Sequence, residues 1–264
     1  PGRNQAVLIT ESGEEFVLNA SQGESWEVGE GVRVEYDSLS GINYNLAEGG
    51  VVRYHTLRVP KGAEYKLTLN DGTVVWLNSE SELRYPTSFV GEKREVFLTG
   101  EGYFSVAYDE KQPFIVVSSD IYTKVYGTEF NVDTYRKVTV KTTLVNGKVG
   151  IRVSATGEEM RLSPNQMALF TKATQSIQVE NVDSYGVVAW KDGKFVFEVE
   201  PIEEIMERLS RWYDVKVFYA NERIKKHTFT GIITRFADIS DVLHLMEETA
   251  AVEFRIQGDT VTVK

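Results

Sequence analysis

Cysteine is absent from this 264-residue chain. That removes disulfides, thiolate metal sites and cysteine nucleophiles, though it does not fix the compartment. Histidine is scarce: His55, His227 and His244 lie far apart, and none sits in a ligand-spaced motif such as H-E-x-x-H. Basic charge is in deficit, with 29 Lys and Arg against 39 Asp and Glu, for a formal net charge of −10. A nucleic-acid binder draws most of its affinity from phosphate contacts, so this balance argues against one. Gly49-Gly50 and Gly100-x-Gly102 form neither a G-x-G-x-x-G fingerprint nor a P-loop. No apolar run approaches the roughly 20 residues of a membrane span, and no signal-peptide pattern is present. Residue 1 is Pro and not Met, so the chain reads as a fragment or processed product, with any membrane anchor cut away.

What is present, 42% hydrophobic and 26% charged residues, suits one large or two modest globular domains. From about Ala6 to Val182 the pattern is β. Tyr65, Leu67 and Leu69 alternate with Lys66, Thr68 and Asn70, then Asp71-Gly72 precedes a second apolar run to Leu77. Asp-Gly predicts a tight turn with positive φ at both central residues, and Asn146-Gly147 repeats the signal. Many short strands at close spacing predict a mainly β domain: a sandwich, a jelly roll or a β-solenoid. AVLITESGEEFVL and YKLTLNDGTVVWL align with Gly13 on Gly72, so that Leu8 meets Leu67 and Phe16 meets Val75.

Beyond Trp190 the grammar changes. Lys191-Asp192-Gly193 is a turn and FVFEV from Phe195 a strand. Pro201 suits a first helical position, with Glu203 and Glu204 favourable near the helix N-terminus. Ile202, Ile205, Met206 and Leu209 have the spacing of one buried helix face. Ile239, Val242, Leu243 and Met246 repeat that face 37 residues on, with Asp238 and Asp241 placed as a capping box. A final hairpin turns at Gly258-Asp259. Two βαβ units in tandem, a small α+β domain, are therefore expected over residues 192–264.

Several stretches invite a chemical reading. Asp71, Asn78, Ser79, Glu80 and Glu82 crowd one segment, yet Asx and Ser side chains at strand ends bond nearby backbone, so turn chemistry accounts for them. Glu101, Asp109 and Glu110 could supply the two carboxylates of a glycosidase; the competing reading is a glycine corner in which Glu101 meets a cation or backbone N–H groups. Trp26, Trp76, Trp190 and Trp212 could stack on sugars, but most aromatics in β domains are core or cross-strand pairs. Lys225-Lys226-His227 reads as a solvated turn, and Thr228–Ile233 as an internal strand in preference to an edge strand offered to a partner. No catalytic residue, cofactor or metal ligand is expected.

LTLNDGTVVWLNSESELRYPTSF, REVFLTGEGYFSVAYDEKQPFIV, YGTEFNVDTY, TTLVNGKVGI and LSPNQMALF stand in the order of the FecR family of sigma-factor regulators, which the chain resembles from about residue 55. Tyr126 and Gly102 depart from the family's usual aliphatic residue and alanine. WKDGKFVFEVEPIEEIMERLSRWYDVKVFY is similar to the small domain that follows in FecR-like proteins of Bacteroides and relatives, which has the secretin and TonB short N-terminal (STN) fold. The resemblance implies a FecR-like all-β periplasmic domain over 1–189 and an STN-like domain over 190–264. It implies a non-enzymatic anti-sigma factor, periplasmic in this part, anchored in the inner membrane by a missing helix. It implies two partners: the N-terminal signalling domain of a TonB-dependent outer-membrane receptor, and an extracytoplasmic-function sigma factor held by a missing cytoplasmic domain. Docking would use exposed helix faces or sheet edges. Arg208 and Arg211 lie off the apolar stripe and could meet an acidic partner; Phe236, before the second helix, reads as the exposed anchor, whereas Trp212 falls in register with the core. The alternative is a periplasmic glycan-binding or enzyme-accessory β module.

Overall fold

The computed structural model describes residues 1–18, 24–27, 32–37, 41–46, 52–248 and 252–264; Gly49-Gly50 and the side chain of Trp26 lie outside what is described. The chain divides into two compact units, one of residues 4–60 and 64–184, the other of residues 1–3, 61–63 and 185–264. It is mainly β with a small α+β C-terminal region, as the sequence pattern indicates.

The first unit is a two-sheet sandwich. One sheet runs Arg3–Asn4, Ala63–Thr68, Val74–Leu77, Glu101–Ser105, Glu129–Asp133, Thr139–Asn146, Gln166–Thr171, Ser176–Asn181. The other runs Glu159–Leu162, Val149–Val153, Ile121–Val125, Phe114–Ser118, Arg94–Thr99, Ser81–Pro86, Tyr54–Val59, Ala6–Ile9, Glu15–Leu18. Glu24–Glu27, Val32–Asp37 and Gly41–Leu46 form a separate antiparallel sheet. Strict alternation faces one side of each strand inward: Tyr65, Leu67 and Leu69 are 4%, 0% and 3% exposed. Phe104 of the first sheet stacks on Phe130 beside it (5.1 Å) and reaches Phe114 of the second (6.2 Å), so the two sheets share one core.

The chain passes back and forth between the sheets, largely in hairpin pairs. Five of these crossings turn on a left-handed residue: Gly62 (φ 64°), Glu80 (φ 55°), Gly100 (φ 91°), Gly147 (φ 97°) and Asn165 (φ 63°). This corrects the reading of Asn146-Gly147 as a hairpin turn. Thr139–Asn146 and Val149–Val153 belong to different sheets, and only the glycine has positive φ. Glycine is required there because a Cβ would sit 2.9 Å from Thr128 Oγ1. Arg94–Thr99 and Phe114–Ser118 pair in parallel because Glu101–Ser105, between them, crosses to the other sheet.

The Asp71-Gly72 turn differs from its expectation too. It is a five-residue loop in which Leu69 N–H donates to Thr73 O (2.8 Å) and Gly72 N–H to Leu69 O (3.0 Å), with Gly72 alone left-handed (φ 84°). The loop at Gly13 has the same bonds, Thr10 N–H to Glu14 O and Gly13 N–H to Thr10 O, both 3.0 Å. Leu8 pairs with Phe16 as Leu67 pairs with Val75. The sequence echo is thus one hairpin geometry used twice, once in each sheet.

In the second unit the order is strand Lys194–Pro201, helix Ile202–Tyr213, strand Lys216–Tyr219, then strand Thr228–Thr234, helix Ile239–Glu247, strand Phe254–Gln257 and a closing strand Thr260–Val263. Both predicted helix faces are inward: Ile202, Ile205, Met206 and Leu209 are 0% exposed, and Val242, Leu243 and Met246 at most 2%. The two strands flanking each helix do not pair with each other, and the closing strand pairs with Phe254–Gln257 on one side and Lys216–Tyr219 on the other. Lys194–Pro201 pairs antiparallel with Thr228–Thr234, and Lys216–Tyr219 lies parallel to Thr260–Val263. Two local readings change. Pro201 is the residue before the helix, still extended (ψ 141°) and completing the strand. Asp238 occupies the N-cap position but makes no side-chain cap bond.

Candidate functional site

The acidic stretches that invited an enzymatic reading are taken up by the fold. Asp71 Oδ1 accepts the Thr73 N–H (3.0 Å), and Oδ2 accepts the Thr73 hydroxyl and Arg94 Nη1, both at 2.7 Å. Arg94 also donates through Nε to Gln112 O (2.9 Å) and through Nη1 to Ala107 O (2.8 Å), with its side chain 2% exposed. This buried pair pins a loop to the start of strand Arg94–Thr99. Glu101 is held by two side-chain amides. Asn78 Nδ2 donates to one oxygen (2.8 Å) and Asn131 Nδ2 to the other (3.0 Å). Asp109 accepts the Lys111 and Gln112 N–H groups, and those two bonds hold its carboxyl below the usual range. Glu110 is exposed and accepts from the Tyr108 hydroxyl (3.5 Å). No group of three or more metal-ligating side chains occurs among the described residues.

His55 is 0% exposed, and burial first, then the neighbouring Arg53 charge, lowers its pKa to about 4. Trp190 and Trp212, 3% and 1% exposed, offer no stacking face, and half-buried Trp76 is a cross-strand partner of Tyr103 (5.5 Å, edge-on). Lys225 pairs with Glu222 (3.0 Å) and Glu203 (3.2 Å).

The predicted partner-binding residues sit in the second unit in three different settings. Arg208 bonds Glu200 (2.9 Å) and Val196 O (3.2 Å), and its guanidinium lies over Phe197 (4.9 Å) and Phe195 (5.7 Å). It staples the helix to the strand, leaving its side chain 27% exposed. Arg211 is half-buried in the last helical turn, where its carbonyl accepts the Gly62 N–H (2.8 Å). Phe236 is 54% exposed and meets the edge of Trp212 at 5.7 Å.

Beneath Phe236 lies a cluster that the sequence reading missed. Arg235, 1% exposed, places its guanidinium 3.8 Å from the Trp212 ring centre, 5.2 Å from Phe195 and 5.7 Å from Trp190. Its Nη1 donates to Trp190 O (2.9 Å), while its own carbonyl accepts Trp212 Nε1 (2.5 Å). Tyr213 donates to Ala237 O (2.8 Å), and burial pushes its hydroxyl up to about 12. Arg235 follows Thr234 in the outward-inward alternation, so parity was the signal that placed it inside.

Thr228–Thr234 is an edge strand, not the internal strand expected. Its sheet has two strands, so one side has no strand partner among the described residues. Thr228, Thr230, Ile232 and Thr234 all point outward, Ile232 63% exposed. Opposite, Val199 is 66% exposed at a bulge, with φ 48°, unusual for a β-branched residue.

Two family models match the chain in order, together over more than half of it: "FecR protein" over residues 55–150 and "FecR, C-terminal" over residues 194–263. The chain belongs to the FecR family. The C-terminal match begins with the first strand of the second unit and ends with its last. Two crystal structures of a protein from Parabacteroides distasonis, described as a "putative anti-sigma factor", share 28% identity with this FecR-family chain. Each has a TM-score of 0.71 and is covered over 98% of its length, against 79% and 80% of this chain. No curated protein matches. The family and these neighbours point to a regulator and not to an enzyme. No described helix is long and apolar enough to cross a membrane.

Proposed function

We propose that this chain is the periplasmic part of a membrane-anchored anti-sigma factor. In this reading the module over 190–264 docks the N-terminal signalling domain of a TonB-dependent outer-membrane receptor. The β domain over 1–189 spaces that module, and an anchor helix and cytoplasmic domain beyond the chain connect it to an extracytoplasmic-function sigma factor. The observation that carries the docking step is the open side of Thr228–Thr234, with Ile232 outward and Phe236 two residues past its end. An edge strand offers unpaired N–H and C=O groups, and a partner strand added there would draw affinity from main-chain bonds and specificity from alternate side chains. Arg211 and, less accessibly, Arg208 supply positive charge on the helix.

Titration of the chain with the signalling domain of the receptor encoded beside it tests this. Saturable binding is expected, with Phe236→Ala weakening it by roughly 30-fold, the loss of one aromatic anchor worth about 2 kcal/mol. Unchanged affinity in Phe236→Ala and in Arg208→Glu/Arg211→Glu removes those residues from the interface. Absence of binding by the unaltered chain at high micromolar concentration removes direct docking by this part alone.

A further inference from the structure

The N-terminal residues end against the same indole that supports Phe236. A Cβ built on Gly2 would lie 2.5, 2.6 and 2.7 Å from three carbons of the Trp212 six-membered ring, so the Gly2 backbone rests on the ring with no room for a side chain. Residues 1–3 and 61–63 belong to the same compact unit as Trp212. Arg3 N–H donates to Gly62 O (2.9 Å), and Gly62 N–H donates in turn to Arg211 O, one residue before Trp212 (2.8 Å). Gly62 is left-handed at φ 64°. The indole is tethered at its five-membered ring, where Nε1 donates to Arg235 O, so the six-membered ring against Gly2 is the end that can tilt.

We propose that residues 1–3 form a latch on Trp212, through which an event at exposed Phe236 is transmitted to the N-terminal segment. The path has three contacts: Phe236 on Trp212, Trp212 on Gly2, and the paired bonds Arg3 to Gly62 to Arg211. A partner that pulls or presses Phe236 moves the edge of the indole and loosens the seat of Gly2. Direction of transmission follows from exposure, since Phe236 is 54% exposed and Trp212 is 1%. The latch gains its signalling role only under the receptor-docking reading above, but its mechanics are measured without any receptor.

Hydrogen exchange on the whole 264-residue chain is the test. Gly2→Ala drives a methyl into the ring, and Arg3→Pro removes the donor to Gly62 without adding bulk at the indole. Either is expected to speed exchange in the peptide covering residues 4–9 by roughly tenfold or more, while amides of helix Ile239–Glu247 keep their protection. Phe236→Ala is expected to speed the same peptide by several-fold. Unchanged exchange in Gly2→Ala and Arg3→Pro overturns the latch; a Gly2→Ala effect with none from Phe236→Ala overturns the transmission. Should Gly2→Ala lose protection in the core helix as well, Arg3→Pro decides. Exchange that behaves as stated, with no receptor binding, retires the docking reading and leaves the latch.

Discussion

In the sandwich the buried arginine, Arg94, faces a carboxylate; in the C-terminal unit the buried arginine, Arg235, lies among three aromatic rings and a carbonyl. The sandwich also holds Glu101 between two amides, and sets eight and nine strands side by side. The C-terminal unit has sheets of two and three strands, so a larger share of its backbone lies at edges. The contrast teaches where each part can change. A region of broad sheets is a frame, and one of narrow sheets with open strands can receive a partner.

The largest test of that contrast is Arg94→Ala. It strands the Asp71 carboxylate, 14% exposed, and is expected to cost about 3–5 kcal/mol in urea unfolding. A loss under about 1 kcal/mol would mean that the pin carries nothing. Second is the pH response of the sandwich through His55, whose folded pKa of about 4 lies below the ordinary histidine value of 6.5. Protonation is harder in the folded chain than in the unfolded one, so stability present above pH 6.5 is lost as pH falls toward 4. The full loss over that window is about 3 kcal/mol. Wild type and His55→Gln compared at pH 7 and pH 4.5 isolate it; parallel losses would place the imidazole in water. Third, Arg235→Met keeps volume and apolar contact and is expected to cost only about 1–2 kcal/mol. A cost equal to that of Arg94→Ala would erase the distinction between the two arginines. Smallest is Lys216→Ala, which breaks the exposed Lys216–Asp259 pair (2.9 Å) and is expected to leave the melting temperature unchanged.

Much of this was legible because period is a physical signal. Ile202, Ile205, Met206 and Leu209 could form an inward face only on a helix, and Tyr65, Leu67 and Leu69 only on a strand. Glycine was legible as a need for positive φ but not as a destination. Gly72 closes a hairpin while Gly147 changes sheets, because the partner of the next strand is a non-local choice. The same gap hid the pairing of Lys194–Pro201 with Thr228–Thr234 and made the latter's edge position the less favoured of two readings. Among the candidate residues, Phe236 and Trp212 were separated correctly by register, 54% against 1% exposed. Arg208 was placed off the stripe by the same reasoning, but register does not reveal that its guanidinium reaches back over Phe197.

The hairpin of Ala6–Ile9 and Glu15–Leu18 lies at the end of the nine-stranded sheet, against Tyr54–Val59. Residues 19–53 separate it from that strand, whereas Tyr54–Val59 meets Ser81–Pro86 across the shorter interval 60–80. Loop-closure entropy therefore makes the N-terminal hairpin a late arrival during folding. Until it docks, the sandwich carries a six-residue open edge with Leu57 and Val59 on its inner side, a template for another copy of the chain. The hairpin is in that sense a built-in guard against aggregation, and a chain shortened past Leu18 would be expected to fail by association before it fails by unfolding.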